Sequence, residues 1–183
     1  GIETAIREEF GAPISAEAEI RSMARIENDL CTISVDTSGE ALHKRGHKEA
    51  VNRAPMRETM ASLFLRQCGY DGAEPLLDPM CGGGTIVTEA ALMAADRAPG
   101  ISRTFGFQKL AWYDGPAWQR IRQLARDRIH PAPQANRIVA SDIADAAIAR
   151  TSSTLRTAQV NDFVRVDVSD VLPPVAPVSA GPR

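Results

Sequence analysis

The residues best suited to chemistry are a carboxylate and a glycine-rich turn near the middle of the chain. Asp78 ends the short apolar run 75–77, and Cys81-Gly82-Gly83-Gly84-Thr85 precedes a helical pattern over about 86–95. Glycine allows close approach of a ligand and positive φ. A helix start adds unpaired N–H groups and partial positive charge. This order of elements indicates a nucleotide-cofactor site, with an ordinary tight turn as the alternative.

The spacing inside the turn separates the classes of cofactor. A phosphate-binding loop of the Walker type needs a lysine after the glycines, and none stands there. A dinucleotide fingerprint needs a glycine where the chain has Val87, which disfavours a NAD-dependent dehydrogenase. The remaining class is a cofactor without a pyrophosphate, whose cationic amine Asp78 can meet. The pattern suits the methionine end of S-adenosylmethionine.

Two further carboxylates end later apolar runs. Asp142 follows the run 138–140, where a carboxylate can accept hydrogen bonds from ribose hydroxyls. Capping of the next helix is its alternative role. Asp142 stands 58 positions after Gly84, whereas a compact unit has about 20. Asp167 ends a third run and can accept from an adenine amine, with Asp170 as its rival.

The pattern of elements predicts an α/β fold with a Rossmann-like, doubly wound and mostly parallel sheet. Strands at about 75–78, 138–142 and 163–167 alternate with helices at about 86–95 and 144–158. A helix over 1–10 and two strands within 18–36, joined by a turn at 27–29, precede them. A further helix, with an apolar face through Met60, Leu63 and Phe64, is expected to stop near Gly69. Trp112 and Trp118 are expected to be packing residues rather than platforms for base stacking. Three strands are too few for a complete enzyme of this kind, so we expect the sequence to be part of a longer protein.

Composition limits the remaining functions. Net charge is −2 and charged residues make up 24% of the chain, so no global electrostatic signature of a nucleic-acid binder is present. Three cysteines without paired spacing and three scattered histidines predict neither a disulfide framework nor a metal site. Without an apolar span or a secretion signal, we expect a cytoplasmic protein with no membrane partner. The oligomeric state is not encoded in any pattern.

The chain resembles the THUMP-linked RNA methyltransferases over roughly residues 30–172. The resemblance lies in Leu77-Asp78-Pro79-Met80-Cys81-Gly82-Gly83-Gly84-Thr85, in Leu42-His43-Lys44-Arg45-Gly46-His47, in Ala54-Pro55-Met56-Arg57-Glu58 and in Asp96-Arg97-Ala98-Pro99-Gly100. It is strongest to the bacterial RlmL-type enzymes that methylate guanine N2 of 23S rRNA. By this resemblance residues 1–30 end a THUMP-like RNA-binding region, and residues 31–183 are the N-terminal part of a class I methyltransferase domain.

The resemblance also implies roles for individual residues. Asp78, Pro79 and the glycine turn would hold the methionine part of S-adenosylmethionine, Asp142 the ribose and Asp167 the adenine. Arg57 and Glu58 would close over the pocket, or form a solvated charge pair. Three basic residues would contact RNA phosphates, or simply face solvent: Lys44, Arg45 and Lys48.

One departure from the family is important for activity. Members carry an Asn-Pro-Pro-Tyr motif after the fourth strand, and the sequence has none. The asparagine and adjacent carbonyl would orient an exocyclic amine toward the methyl group, so the catalytic residues are unknown and we expect the chain alone to be inactive. Two alternatives stay open: methylation of adenine N6 in DNA, and a non-catalytic module that binds RNA or senses the cofactor.

Overall fold

The computed structural model describes residues 1–44, 56–133 and 137–172. The chain divides into two compact units. The first contains residues 1–41 and 104–116, and the second contains residues 42–103 and those from 117 onward. The division at residue 30 suggested by the sequence falls at the start of a strand inside the first unit and stays a prediction.

The first unit contains a helix and a hairpin, as the sequence predicted. Helix α1 (Ile2–Phe10) ends at Gly11, which adopts φ 62° and donates its N–H to the Arg7 carbonyl. Strands β1 (Ser22–Glu27) and β2 (Leu30–Val35) pair antiparallel. The turn residues Asn28 and Asp29 have φ of 49° and 61°. Two consecutive positive φ values give a turn whose twist matches that of the strands.

Both strands of the hairpin are exposed along their whole length. The register pairs Ser22 with Val35, Ala24 with Ile33 and Ile26 with Cys31. Because side chains alternate between faces, these three pairs share one predominantly apolar face. Ile26 is 68% exposed. The residues of this face are therefore mostly apolar in type, yet they are exposed and form no buried core in this unit.

Aromatic residues of the first unit surround a short 3-10 helix, Gly106–Lys109. The Phe107 N–H donates to the Thr37 carbonyl, and the Phe107 ring stacks on Phe105 with 5.5 Å between centroids. Trp112, which the sequence suggested as a packing residue, is 78% exposed. That expectation is wrong.

The second unit contains the predicted parallel sheet. Strands β3 (Leu76–Asp78), β4 (Ile138–Asp142) and β5 (Val164–Val168) lie in the order β3–β4–β5. Helices α3 (Thr85–Ala94) and α5 (Asp145–Thr157) connect them and pack on the sheet and on each other. Helix α2 (Glu58–Gln67) also belongs to this unit, as does helix α4 (Gly115–Asp127) from Ala117 onward. The α/β fold class is confirmed.

The core lies between the sheet and helices α2, α3 and α5. Helix α3 is apolar around most of its surface, which is typical of a helix surrounded by protein. Strand β4 is the central strand, and its residues from Ile138 to Ser141 are at most 2% exposed. Fixing the central strand in this way fixes the position of Asp142 at its carboxyl end.

Helix α2 ends near Gly69 as predicted, but the face it buries was not expected. The sequence indicated an apolar face through Met60, Leu63 and Phe64, and all three are exposed. The helix instead buries Ala61 and Leu65. The small side chain of Ala61 on this buried face allows α2 to pack closely against α3.

Candidate cofactor-binding site

The glycine turn lies at the carboxyl end of β3, between that strand and α3. Gly82 and Gly84 have φ of 56° and 74°, values that side chains disfavour. The Gly84 N–H donates to the Cys81 carbonyl at 2.8 Å, and α3 begins at Thr85. The first amides of α3 therefore lack intrahelical acceptors and are available for a ligand. In open α/β sheets, ligands bind at this edge.

The end of β4 holds the turn in place. The Cys81 N–H donates to the Ser141 carbonyl at 2.9 Å, and the Gly82 N–H donates to Asp142 Oδ2 at 3.0 Å. The structure thus joins two parts of the site that the sequence separates widely. The 58 positions that separate Gly84 from Asp142 in the sequence do not prevent this contact.

Asp142 does not cap α5, whose N-cap residue is Ala144. Its Oδ1 instead accepts the Ala144 N–H at 3.0 Å, which closes a tight turn before the helix. The capping alternative is therefore wrong in detail. Each carboxylate oxygen can accept a second hydrogen bond, so both remain able to meet ribose hydroxyls. The ribose role stays a prediction.

Asp78 is half-buried at the end of β3. Burial raises the pKa of its carboxyl, and the negative charge of Asp142 raises it further, while the hydrogen bond from the Met80 N–H acts in the opposite direction. Burial and like charge both disfavour the ionised form. A cationic ligand group beside Asp78 would offset both effects. Such a ligand group would favour the ionised carboxylate, whose negative charge is the one expected of a residue that binds an ammonium group.

The glycine turn is open on one side and closed by protein on the other. A Cβ on Gly83 would meet no atom within 4 Å, so this side of the turn is open. A Cβ on Gly84 would lie 2.7 Å from the Thr151 side chain, so that side is filled by protein. The turn is therefore supported from behind and accessible in front. Together with Asp78 and the α3 amides, this arrangement fits the amino-acid end of S-adenosylmethionine.

Cys81 takes part in packing within the site. Its side chain is buried, and its Sγ lies 3.5 Å from Thr151 Oγ1. Burial raises the pKa of the thiol. A buried neutral thiol has the properties of a small apolar group rather than a nucleophile.

Pro79 is half-buried, whereas Met80 beside it is exposed.

Asp167 lies on β5, opposite Ser141 in the register. Its Oδ2 accepts a hydrogen bond from Arg165 Nε at 2.9 Å. The Ser169 N–H donates to the Asp142 carbonyl at 3.1 Å, which joins the end of β5 to that of β4. The carboxyl ends of all three strands thus meet at one edge, with Asp167 near Asp142. Its role toward adenine stays a prediction.

The remaining predicted residues lie outside this edge or outside the described residues. Arg57 is exposed before α2, and Glu58 is buried at its first position. A closing movement by either residue stays a prediction. Lys44 is exposed. Arg45 and Lys48 lie outside the described residues.

The arginines of the α4 region divide into two groups. Arg122 donates to the Ile101 carbonyl, and Arg128 makes a bidentate pair with Asp96 at 2.7 and 2.9 Å. Arg120 and Arg126 are exposed on the helix. At least two of these four arginines therefore serve the fold of the second unit.

A cleft of about 730 Å³ lies elsewhere in the second unit. Its lining includes Tyr70, Leu92, Arg97 and His130. None of its lining residues belongs to the glycine turn or to the carboxyl ends of the strands, so it is not the candidate cofactor site. Burial raises the pKa of Tyr70 to about 12, so its hydroxyl is neutral at physiological pH.

Sequence reasoning missed Thr151 and Ser141. Ala147, Thr151 and Leu155 form a buried stripe at helical spacing along α5. A hydroxyl inside an otherwise apolar stripe was the available signal, because a buried hydroxyl needs a partner. Ser141 contributes a backbone carbonyl, which no side-chain pattern reports.

No cluster of three or more His, Cys, Asp or Glu side chains suited to a metal ion occurs within residues 1–44, 56–133 and 137–172. In the same described ranges, no helix combines the length and hydropathy needed to cross a membrane.

Comparison with solved structures identifies similar proteins. A protein from Clostridium difficile 630, described as a possible methylase, has 30% identity and a TM-score of 0.79. A predicted N6-adenine-specific DNA methylase from Listeria monocytogenes str. 4b F2365 has 30% identity and a TM-score of 0.80. SMU.472, assigned as a methyltransferase and solved with SAH, has 25% identity and a TM-score of 0.79. Each match covers 94% of this chain but 46% of the other protein, so the chain spans less than half the length of these relatives.

A family model also matches the chain. Residues 45–174 match the methyltransferase domain described as RMKL-like, and this range contains the glycine turn and all three parallel strands. The match covers well over half of the sequence and agrees with the structural similarities. The chain belongs to the UPF0020 family of RMKL-like methyltransferase domains.

Proposed function

We propose that the chain is part of an S-adenosylmethionine-dependent methyltransferase that acts on guanine N2 of RNA, with 23S rRNA as the substrate. The observation that carries the proposal is the glycine turn, held by Ser141 and Asp142 at the carboxyl edge of a sheet with the methyltransferase fold. S-adenosylmethionine is the cofactor of methyltransferases of this kind, and its demethylated product SAH is bound in the similar protein SMU.472.

The cofactor would supply a sulfonium methyl group for transfer. Asp78 and the glycine turn would bind its amino-acid part, Asp142 its ribose and Asp167 its adenine. The Asp78 carboxylate would balance the positive charge of the ammonium group, and its partial burial makes that interaction stronger than it would be in water. Arg57 and Glu58, before and at the start of α2, are the candidates for closing the pocket.

Guanine N2 of RNA is proposed because of the resemblance to the THUMP-linked enzymes, which extends through Lys44, Arg45 and Lys48. These cations would contact phosphates, which position a nucleic acid without reading its sequence. An RNA methyltransferase of this type would act in the cytoplasm. Residues 1–30 would belong to an RNA-binding region.

Methylation of adenine N6 in DNA is the second candidate. It is favoured by the similar protein from Listeria monocytogenes, which is described as an N6-adenine-specific DNA methylase. Both reactions transfer a methyl group to an exocyclic amine of a base, so the same cofactor edge serves either. In both cases the amine must be held by residues such as the Asn-Pro-Pro-Tyr motif, which the sequence lacks. We therefore propose that the chain alone binds the cofactor without transferring its methyl group.

One calorimetric experiment tests these proposals. The chain is titrated with SAH, with NAD and ATP as controls, and the titration is repeated with Asp142→Ala. We expect saturable binding of SAH alone and at least about a tenfold loss in the variant, because the Gly82 N–H and the ribose both lose an acceptor. The SAH complex is then titrated with single-stranded RNA and DNA of the same base sequence.

The outcomes separate the candidates. Tighter binding of RNA supports the first function, and tighter binding of DNA supports the second. SAH binding without affinity for either nucleic acid supports a cofactor-sensing module. Binding of NAD in place of SAH would show that the assignment of the glycine turn is wrong.

A further inference from the structure

A buried hydroxyl on α5 contacts the back of the glycine turn. Thr151 has no exposed surface. Its Oγ1 donates to the Gly82 carbonyl at 3.2 Å and lies 3.5 Å from Cys81 Sγ. Its side chain also fills the space where a Cβ on Gly84 would stand. A single residue from the next crossover helix therefore contacts three positions of the turn.

The hydrogen bond to Gly82 determines how the next amide points. The Gly82 carbonyl and the Gly83 N–H belong to one peptide unit, and in a trans peptide they point in opposite directions. Because Thr151 holds the carbonyl toward α5, the Gly83 N–H must point away from α5. The open side of the turn at Gly83 is the side on which a ligand can approach.

Other hydrogen bonds of the turn involve neighbouring peptide units, including the one from the Gly84 N–H to the Cys81 carbonyl that closes the turn. Ser141 and Asp142 hold the N–H groups of Cys81 and Gly82, which belong to the two preceding peptide units. The bond to Thr151 is the contact from α5 that fixes the Gly82–Gly83 peptide. Glycine on both sides gives this peptide unusual freedom to rotate, so the external bond has a large influence on its orientation.

We propose that Thr151 is a positioning residue for the cofactor: it orients the Gly83 N–H toward the carboxylate of the amino-acid part of S-adenosylmethionine. The inference rests on the proposed cofactor site. Thr151 itself would not touch the cofactor. Its effect is restricted to ligands that carry the amino-acid carboxylate.

Two substitutions separate positioning from packing. Thr151→Val keeps the shape of the side chain and removes the hydroxyl, whereas Thr151→Ser keeps the hydroxyl and removes the methyl group. A packing role predicts that Thr151→Val is the milder change. A positioning role predicts that Thr151→Ser is the milder change. Thr154→Val is the matched control, because Thr154 is also buried on α5 but donates to the Arg150 carbonyl within its own helix.

The experiment measures calorimetric binding of SAH and of 5′-methylthioadenosine, which lacks the amino-acid part, by the wild-type chain and the three variants. For SAH we expect the dissociation constant of Thr151→Val to be about tenfold higher than that of the wild-type chain. Thr151→Ser and Thr154→Val should stay within about twofold of wild type. Affinity for 5′-methylthioadenosine should be the same in all four proteins.

Three results would overturn the inference while leaving the proposed function intact. These are wild-type affinity for SAH in Thr151→Val, an equal loss in Thr151→Ser, and an equal loss of both ligands in Thr151→Val. If the wild-type chain binds neither ligand, the proposed cofactor site is itself wrong and the inference fails with it. Thermal unfolding of each variant shows whether a loss of affinity accompanies a loss of the fold.

Discussion

The hairpin of the first unit and the parallel sheet of the second use similar residues in different ways. Strands β1 and β2 are exposed throughout, although they place Ile26, Ile33 and Val35 on one face. Strand β4 buries Ile138 to Ser141 and ends at Asp142, which is bonded to the glycine turn. The difference shows that apolar alternation forms a strand, but that a precise site requires the strand to be surrounded by packed helices.

The largest expected effect follows from this difference in burial. Leu155 in the core is 1% exposed, and Ile26 in the hairpin is 68% exposed. Leu155→Ala should lower the free energy of unfolding by about 3 kcal/mol because it leaves a cavity. Ile26→Ala should change it by less than about 0.5 kcal/mol. Chemical denaturation measures both, and similar losses would show that the hairpin is as tightly packed as the core.

Two glycines of similar backbone conformation provide an intermediate difference in the cost of substitution. Gly84 and Gly11 have positive φ values of 74° and 62°, but only at Gly84 would a Cβ meet a close neighbour, 2.7 Å away in Thr151. Gly11→Ala should cost about 1 kcal/mol for the backbone conformation. Gly84→Ala should cost roughly 3 kcal/mol because a steric clash is added. Denaturation curves test this, and equal costs would mean that Thr151 moves aside freely.

The smallest effect concerns thiol reactivity. Cys31 on the hairpin is exposed, whereas Cys81 in the turn is buried and its pKa is raised by burial. The thiolate is the reactive form of cysteine. Because the pKa of Cys81 is raised, a smaller fraction of this thiol is ionised at pH 8, and its rate of alkylation should rise only at higher pH. Reaction with iodoacetamide, followed by peptide mass analysis, should label Cys31 well before Cys81. Equal rates would indicate that the turn opens readily.

Most elements of the second unit could be predicted from local patterns. Apolar runs ending in Asp78, Asp142 and Asp167 predicted three strands, and their alternation with helical patterns predicted a parallel sheet. The same reasoning failed for Met60 and Leu63, which are exposed. Periodicity shows that a helix has an apolar face, but not which neighbour covers it.

The contacts inside the site were beyond local reasoning. For Asp142 the sequence offered ribose binding or helix capping, and no pattern indicated its additional bond to Gly82, 60 residues earlier. Thr151 lies 69 residues after Gly82, yet it holds the Gly82 carbonyl. Such pairs are set by the crossover that returns each strand to the same edge of the sheet. They appear only when the strands and helices are placed together.

The connection between α3 and β4, residues 95–137, is long enough to hold a helix of its own. It leaves the end of α3 and enters the start of β4, so its two attachment points lie at the amino edge of the parallel sheet, opposite the glycine turn. An insertion into this connection therefore leaves the strand ends that carry the hydrogen bond between Gly82 and Asp142 uninterrupted. For protein engineering, an exposed position of this connection, such as Trp112, is the place to insert a reporter domain or an affinity tag.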